Sequence, residues 1–140
     1  MVQIILGNYA TGHFIGRRIS NTHALVEGLR KIPNVVVSAL DFAEFDFDQQ
    51  LNISRATDLL VGMHGAGLIQ TMFMPQWGGL FEFFCPDRPS SNIRYRELTK
   101  RLGLHYASFS LEGDSVPVTN VVPLVAKLLV AISRSKTQSY

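Results

Sequence analysis

Five short apolar runs recur along the chain, separated by stretches whose apolar residues fall at helical spacing. Val2–Leu6, the β-branched Val35–Ser38, Asp58–Gly62, Leu80–Phe84 and His105–Phe109 all have the length of strands. Leu59–Val61 is continuously apolar rather than alternating, as in a strand covered on both faces. Between them, Leu25, Val26, Leu29 and Ile32 share one helical face; Ser20 or Asn21 can cap that helix and Pro33 stops it. Asp46 or Asp48 caps a second helix reaching Arg55 or Ala56. A basic third helix, Ile93–Leu102, ends at Gly103, a residue suited to a C-cap. Asn120 caps a final helix with the stripe Leu124, Val125, Leu128, Leu129 and Ile132, and Pro123 falls in its first turn.

Strands alternating with helices predict an α/β fold: a single Rossmann-like, doubly wound parallel sheet of about five strands with helices on both faces. Residues 1–134 form one domain and 135–140 a flexible tail. In such sheets a ligand sits where strand order reverses, at the carboxyl ends. The order 2-1-3-4-5 puts the loops after the first and third strands side by side. The first of these loops, Gly7–Gly16, is long and glycine-bearing and is followed by Arg17 and Arg18. The second, Gly62–Gly67, holds three glycines around His64. One crevice would then collect Arg17, Arg18, Asn21, His64 and the loop amides.

The run Asp58–Leu68 passes from strand to glycine-rich turn, and a short helix follows until Pro75. A backbone built this way brings bare N–H groups and a helix N-terminus up to an anion. A tight structural turn has the same glycines, and both readings stand on the residues alone. A dinucleotide fingerprint would need a small residue at position 70, which is Gln, and no Walker-type Gly-Lys-Ser/Thr follows.

Composition narrows the partners. Only 17% of residues are charged, below the usual quarter, which leaves room for an apolar face packed on something outside this chain. A net charge of +2 is too small to argue for nucleic acid. Cys85 stands alone, so there is no internal disulfide framework, and the four histidines lack zinc-ligand spacing with it or with each other. Val116–Ile132 contains two prolines, Asn120 and Lys127, so no membrane span is expected, and Met1 runs straight into the strand-like Val2–Leu6, so no signal segment is expected and the chain reads as soluble. Asn52-Ile53-Ser54 is a glycosylation triplet in an expected helix. His13 reads as a loop residue, His23 as solvated and His105 as structural, while Phe42–Phe47 is an aromatic cluster for packing, with a partner surface as the other reading. Glu82, mid-strand, is either a buried glutamate paired with an arginine such as Arg94 or a ligand contact.

Arg17-Arg-Ile-x-Asn21, Gln50-Leu51, Asp58-x-x-x-Gly62-Met-His-Gly-Ala-Gly-Leu68, Phe73-x-Pro75, Phe81-Glu82 and Leu104-His-Tyr106 together resemble one family of glycosyltransferases. That family includes the EGF-domain-specific O-linked N-acetylglucosamine transferases and the plant xylan arabinosyl- and xylosyl-transferases. The resemblance implies the C-terminal, donor-binding half of a two-domain GT-B enzyme. Such an enzyme transfers a sugar from a UDP-sugar, with inversion, to a hydroxyl of a protein Ser/Thr or a glycan. It implies a missing N-terminal acceptor domain that holds the catalytic base, no organic cofactor, an undecided divalent metal, and the endoplasmic reticulum or Golgi lumen. Because the chain carries no signal segment, a cytoplasmic fragment is the other placement.

The resemblance also assigns roles. Arg17, with Arg18, would grip the diphosphate through its planar fork. The amides of Gly65, Ala66 and Gly67, leading into Leu68, would stabilise the leaving diphosphate. His64 would bond a phosphate oxygen or the base, Glu82 the ribose hydroxyls, and Asn21 would orient the loop. Two positions depart from the family pattern: Ile69-Gln70 replaces Thr-His after the loop, and Asn8 replaces an Arg. They motivate the alternative of a non-catalytic nucleotide-sugar-binding or interaction module; a nucleotide-binding oxidoreductase domain is a third reading.

Overall fold

The computed structural model describes residues 2–7, 19–84 and 93–139. Five strands form one sheet: β1 (Val2–Gly7), β2 (Val35–Leu40), β3 (Leu59–Met63), β4 (Gly79–Phe84) and β5 (His105–Ser110). Their order is β2-β1-β3-β4-β5 and every pairing is parallel, as the alternation of elements predicts. Order therefore reverses between β1 and β3, and the register Ile4↔Leu59, Leu6↔Val61 brings their carboxyl ends together.

Helices cover both faces. On one side α1 (Thr22–Arg30) and α4 (Val118–Gln138) bury Leu25, Val26 and Leu29, and Val121, Val125, Leu129 and Ile132, over Ile4, Leu6, Leu59, Val61, Phe81 and Phe83. On the other side α2 (Phe47–Arg55), a 3-10 helix (Ala66–Phe73) and α3 (Arg94–Leu102) lie over Ile5, Leu60 and Leu80. Each fully buried branched side chain of these stripes contributes about 1.5–3 kcal/mol. The apolar spacing that predicts the helices is thus the spacing that closes the core.

Local chemistry sets the element ends. Asp46 accepts from the Gln49 amide and Gln49 reaches back to the Asp46 amide, a reciprocal capping box that starts α2. Gly103 ends α3 with φ 73°, a left-handed conformation that suits glycine. Gly62 lets a layer close: a Cβ there would lie 3.1 Å from Leu68 Cδ2, so its bareness allows the 3-10 helix to settle on the sheet.

Several ends differ from the sequence reading. Asn21 stands at the α1 N-cap without a side-chain cap; its carboxamide instead donates to the Val116 carbonyl and accepts from the Val116 amide, both at 2.8 Å. The helix after the glycine turn is 3-10 throughout. Helix α4 begins at Val118, not after Asn120, so Pro123 lies inside it. It also runs through Gln138, where a flexible tail from residue 135 was expected. The reason is tertiary: Ser135 bonds the His105 ring at 2.8 Å, and Lys136 pairs with Asp58 at 3.2 Å. By length and composition α4 could cross a bilayer, but here its stripe is buried against the sheet.

Candidate functional site

Buried polar side chains cluster beside the turn that follows β3. Glu82 sits in β4 between Gly62 of β3 and Ser108 of β5, with no exposure to solvent. A carboxylate there must find partners within the protein. Tyr106, one pleat earlier on β5, donates to Glu82 Oε1 at 2.6 Å, and His64 Nδ1 meets Oε2 at 2.5 Å. Both carboxylate oxygens are thereby engaged, by His64 and Tyr106 and not by Arg94 as one sequence reading has it. Burial pushes the Glu82 carboxyl above its ordinary 4.5, opposed by the Tyr106 and His64 hydrogen bonds and the His64 charge. Burial, then the bond to Glu82 and its charge, push the Tyr106 phenol above its ordinary 10.0, with Ser108 and Arg96 acting the other way.

His64 follows β3 and bridges to β4 by its own amide, which donates to the Phe83 carbonyl at 2.8 Å. Its ring lies 5.9 Å from the ring of Phe84 and 5.4 Å from that of Tyr95, and 13% of its side chain remains exposed. Tyr95 of α3, itself buried, donates its hydroxyl to the Gly65 carbonyl at 2.7 Å. The glycine turn is thus pinned at its carbonyl side. The 3-10 helix starts at Ala66, and its first internal bond is from the Leu68 amide to Gly65 at 3.2 Å. The amides of Ala66 and Gly67 therefore have no carbonyl partner within that helix. Gly65 is extended, with φ 172°, a conformation open to any residue; its role is not left-handed strain.

Of the expected site residues, His64, Gly65, Ala66, Gly67 and Leu68 lie on one turn, with Leu68 buried in the core beneath it. Glu82 stands behind His64 rather than at the surface. Asn21 ties the start of α1 to the β5–α4 loop. Arg17 and Arg18 fall outside the described residues, as do His13 and Cys85. Position 70, a departure from the family pattern, is structural: buried Gln70 accepts from Ser54 Oγ and donates to Gln50 Oε1, both at 2.9 Å. Tyr95 has no place in the sequence reading, and Tyr106 enters it only within the Leu104-His-Tyr106 motif, without a role. The available signal was strand parity, which puts Tyr106 and Glu82 on one face of adjacent strands. Among the described residues, no three His, Cys, Asp or Glu side chains converge as metal ligands.

A parallel sheet in the order 2-1-3-4-5, with a glycine-rich turn at its switch point, defines a Rossmann-like α/β domain. Similarity supplies the next step. The Glycosyltransferase 61 family model matches residues 12–81, and the chain belongs to that family. It is 34% identical over 104 residues to the EGF domain-specific O-linked N-acetylglucosamine transferase of Gallus gallus, covering 72% of this chain and 19% of that protein. The Mus musculus counterpart is 35% identical over the same length, and the Drosophila melanogaster one 32% identical over 93 residues. The chain thus spans about a fifth of the curated relatives it matches. Among solved structures, a flavodoxin-like domain from Synechococcus aligns with TM-score 0.59 at 13% identity, covering 97% of this chain and 99% of that one. An NADH:FMN oxidoreductase in its apo form aligns with TM-score 0.51 at 9% identity, covering 99% of this chain and 90% of that one. Those two likenesses concern the fold alone.

Proposed function

We propose that this chain is the donor-binding part of a GT-B glycosyltransferase that transfers a sugar from a UDP-sugar, with inversion, to a protein Ser/Thr or glycan hydroxyl. The relatives are named for transfer of N-acetylglucosamine, which makes UDP-N-acetylglucosamine the first donor to test. The observation that carries the reading is the turn after β3. There the amides of Ala66 and Gly67 open a helix at the switch point, with His64 at its lip.

A diphosphate bound there would have its oxygens faced by N–H donors and the positive end of a helix. As the bond between the sugar's anomeric carbon and the diphosphate breaks, those donors stabilise the charge left on the leaving group. The acceptor oxygen forms the new bond to the anomeric carbon from the opposite side. Its proton passes to a base in the acceptor domain, which lies outside these residues. Arg17 and Arg18 would add guanidinium contacts to the diphosphate. By family resemblance the setting is the endoplasmic reticulum or Golgi lumen.

Calorimetry with UDP on the protein tests the reading. Binding is expected, and Gly65→Val or Arg17→Ala should abolish it; absence of binding to the folded wild type would overturn the proposal. UDP binding without sugar transfer, even with the acceptor domain supplied, would favour the non-catalytic module that the departures at Ile69 and Gln70 suggest.

A further inference from the structure

Glu82 has neither a free oxygen nor solvent contact, yet it lies one residue from the nucleotide turn through His64. Its direct use as a ribose acceptor would require breaking a 2.5 Å or a 2.6 Å bond inside the sheet. Its partners come from three strands: His64 follows β3, Glu82 is on β4 and Tyr106 on β5. The hydroxyl of Tyr106 can only donate to a carboxylate, and the carboxylate can then only accept from His64 Nδ1. Among the described residues, Nε2 of His64 has no hydrogen-bond partner, and the ring keeps a small exposed edge. Phe84 and Tyr95 both pack near the ring and restrict its rotation.

We propose that Tyr106 and Glu82 are positioning residues: the chain Tyr106 Oη–H···Glu82···H–Nδ1 His64 holds the imidazole in one orientation and commits Nε2 to the diphosphate. This rests on the donor-binding reading and adds to it how the histidine is aimed. A carboxylate at Nδ1 and an anion at Nε2 are mutually compatible only when both ring nitrogens carry hydrogens. The other titratable or charged groups facing this cluster among the described residues are Tyr95 and Arg96 of α3, and Arg96 acts on Tyr106. Neither takes the place of Glu82 at Nδ1.

Two readouts test this, one without ligand. Nitrogen-15 NMR of the ligand-free protein should show His64 with a hydrogen on Nδ1 in the wild type and a changed ring state in Glu82→Gln. Titration with UDP-N-acetylglucosamine should show binding to the wild type. Glu82→Gln should lower affinity about tenfold. Tyr106→Phe should lower it by a smaller factor, which guards against a Glu82 variant that fails to fold. An unchanged His64 signal in Glu82→Gln, or wild-type affinity retained by that variant, would overturn the relay. A wild type that binds no UDP-N-acetylglucosamine would instead overturn the donor reading, while the ligand-free spectra would still decide whether Glu82 sets the ring.

Discussion

Two buried acids, at opposite ends of the same sheet, are satisfied in different ways. Asp58, at the amino end of β3, accepts from the Gln3 amide at 2.8 Å and from Trp77 Nε1 at 2.7 Å, and it pairs with Lys136 at 3.2 Å. Its own amide donates to Gln3 and its carbonyl accepts from Gly79, so one residue staples β1, β3, β4 and α4 together. Every partner is backbone or a side chain of the core's rim. Glu82, near the carboxyl end, is held by two side chains, one of which keeps part of its ring in solvent. The first arrangement closes on itself, as a structural clasp does. The second leads outward to the switch point, where α/β sheets bind ligands. Burial alone does not separate them; what the partner touches next does.

The largest effect is expected where the clasp is removed. Asp58→Ala strands a backbone amide, an indole N–H and a partly buried ammonium, and should cost about 3–4 kcal/mol. Chemical denaturation measures it, and the affinity of the folded fraction for UDP should not change. A second attack on that end is steric. In Gly79→Ala the new Cβ would lie 2.9 Å from Ile132 Cδ1 and 3.1 Å from the His105 carbonyl, for a loss of about 2 kcal/mol by the same assay. At the carboxyl end, Asn21→Ala removes a two-way bond to Val116 and should cost about 1–2 kcal/mol.

The smallest loss, about 1 kcal/mol, is expected for Tyr106→Phe at neutral pH. Its signature is alkaline. Because the folded phenol holds its proton more tightly than the unfolded one, its contribution is complete below pH 10.0 and is lost as pH rises through the raised folded value. Wild-type stability should fall in that window, and Tyr106→Phe should lack that part of the slope. Equal alkaline slopes in the two proteins would mean that neither burial nor Glu82 raises the Tyr106 phenol.

Much of this architecture is legible in the apolar pattern, because strands buried on both faces and helices with one apolar stripe can close a core in few ways. The five strands, a cap at Asp46 and the C-cap at Gly103 follow from residues near in sequence, whose geometry is local. The glycine turn around His64 is legible for the same reason. The partners of Glu82 are not: His64 lies 18 residues before it and Tyr106 24 after, and only parallel pairing in this register brings them together. Nor is the extension of α4 past Ile132, since polar residues there become helical by reaching His105 and Asp58. The sequence by itself therefore determined the layers and the turn at the switch point, through periodicity and local backbone chemistry. Tertiary structure decided which buried acid is a clasp and which stands behind the site, because the fate of a desolvated charge depends on neighbours that only the folded sheet supplies.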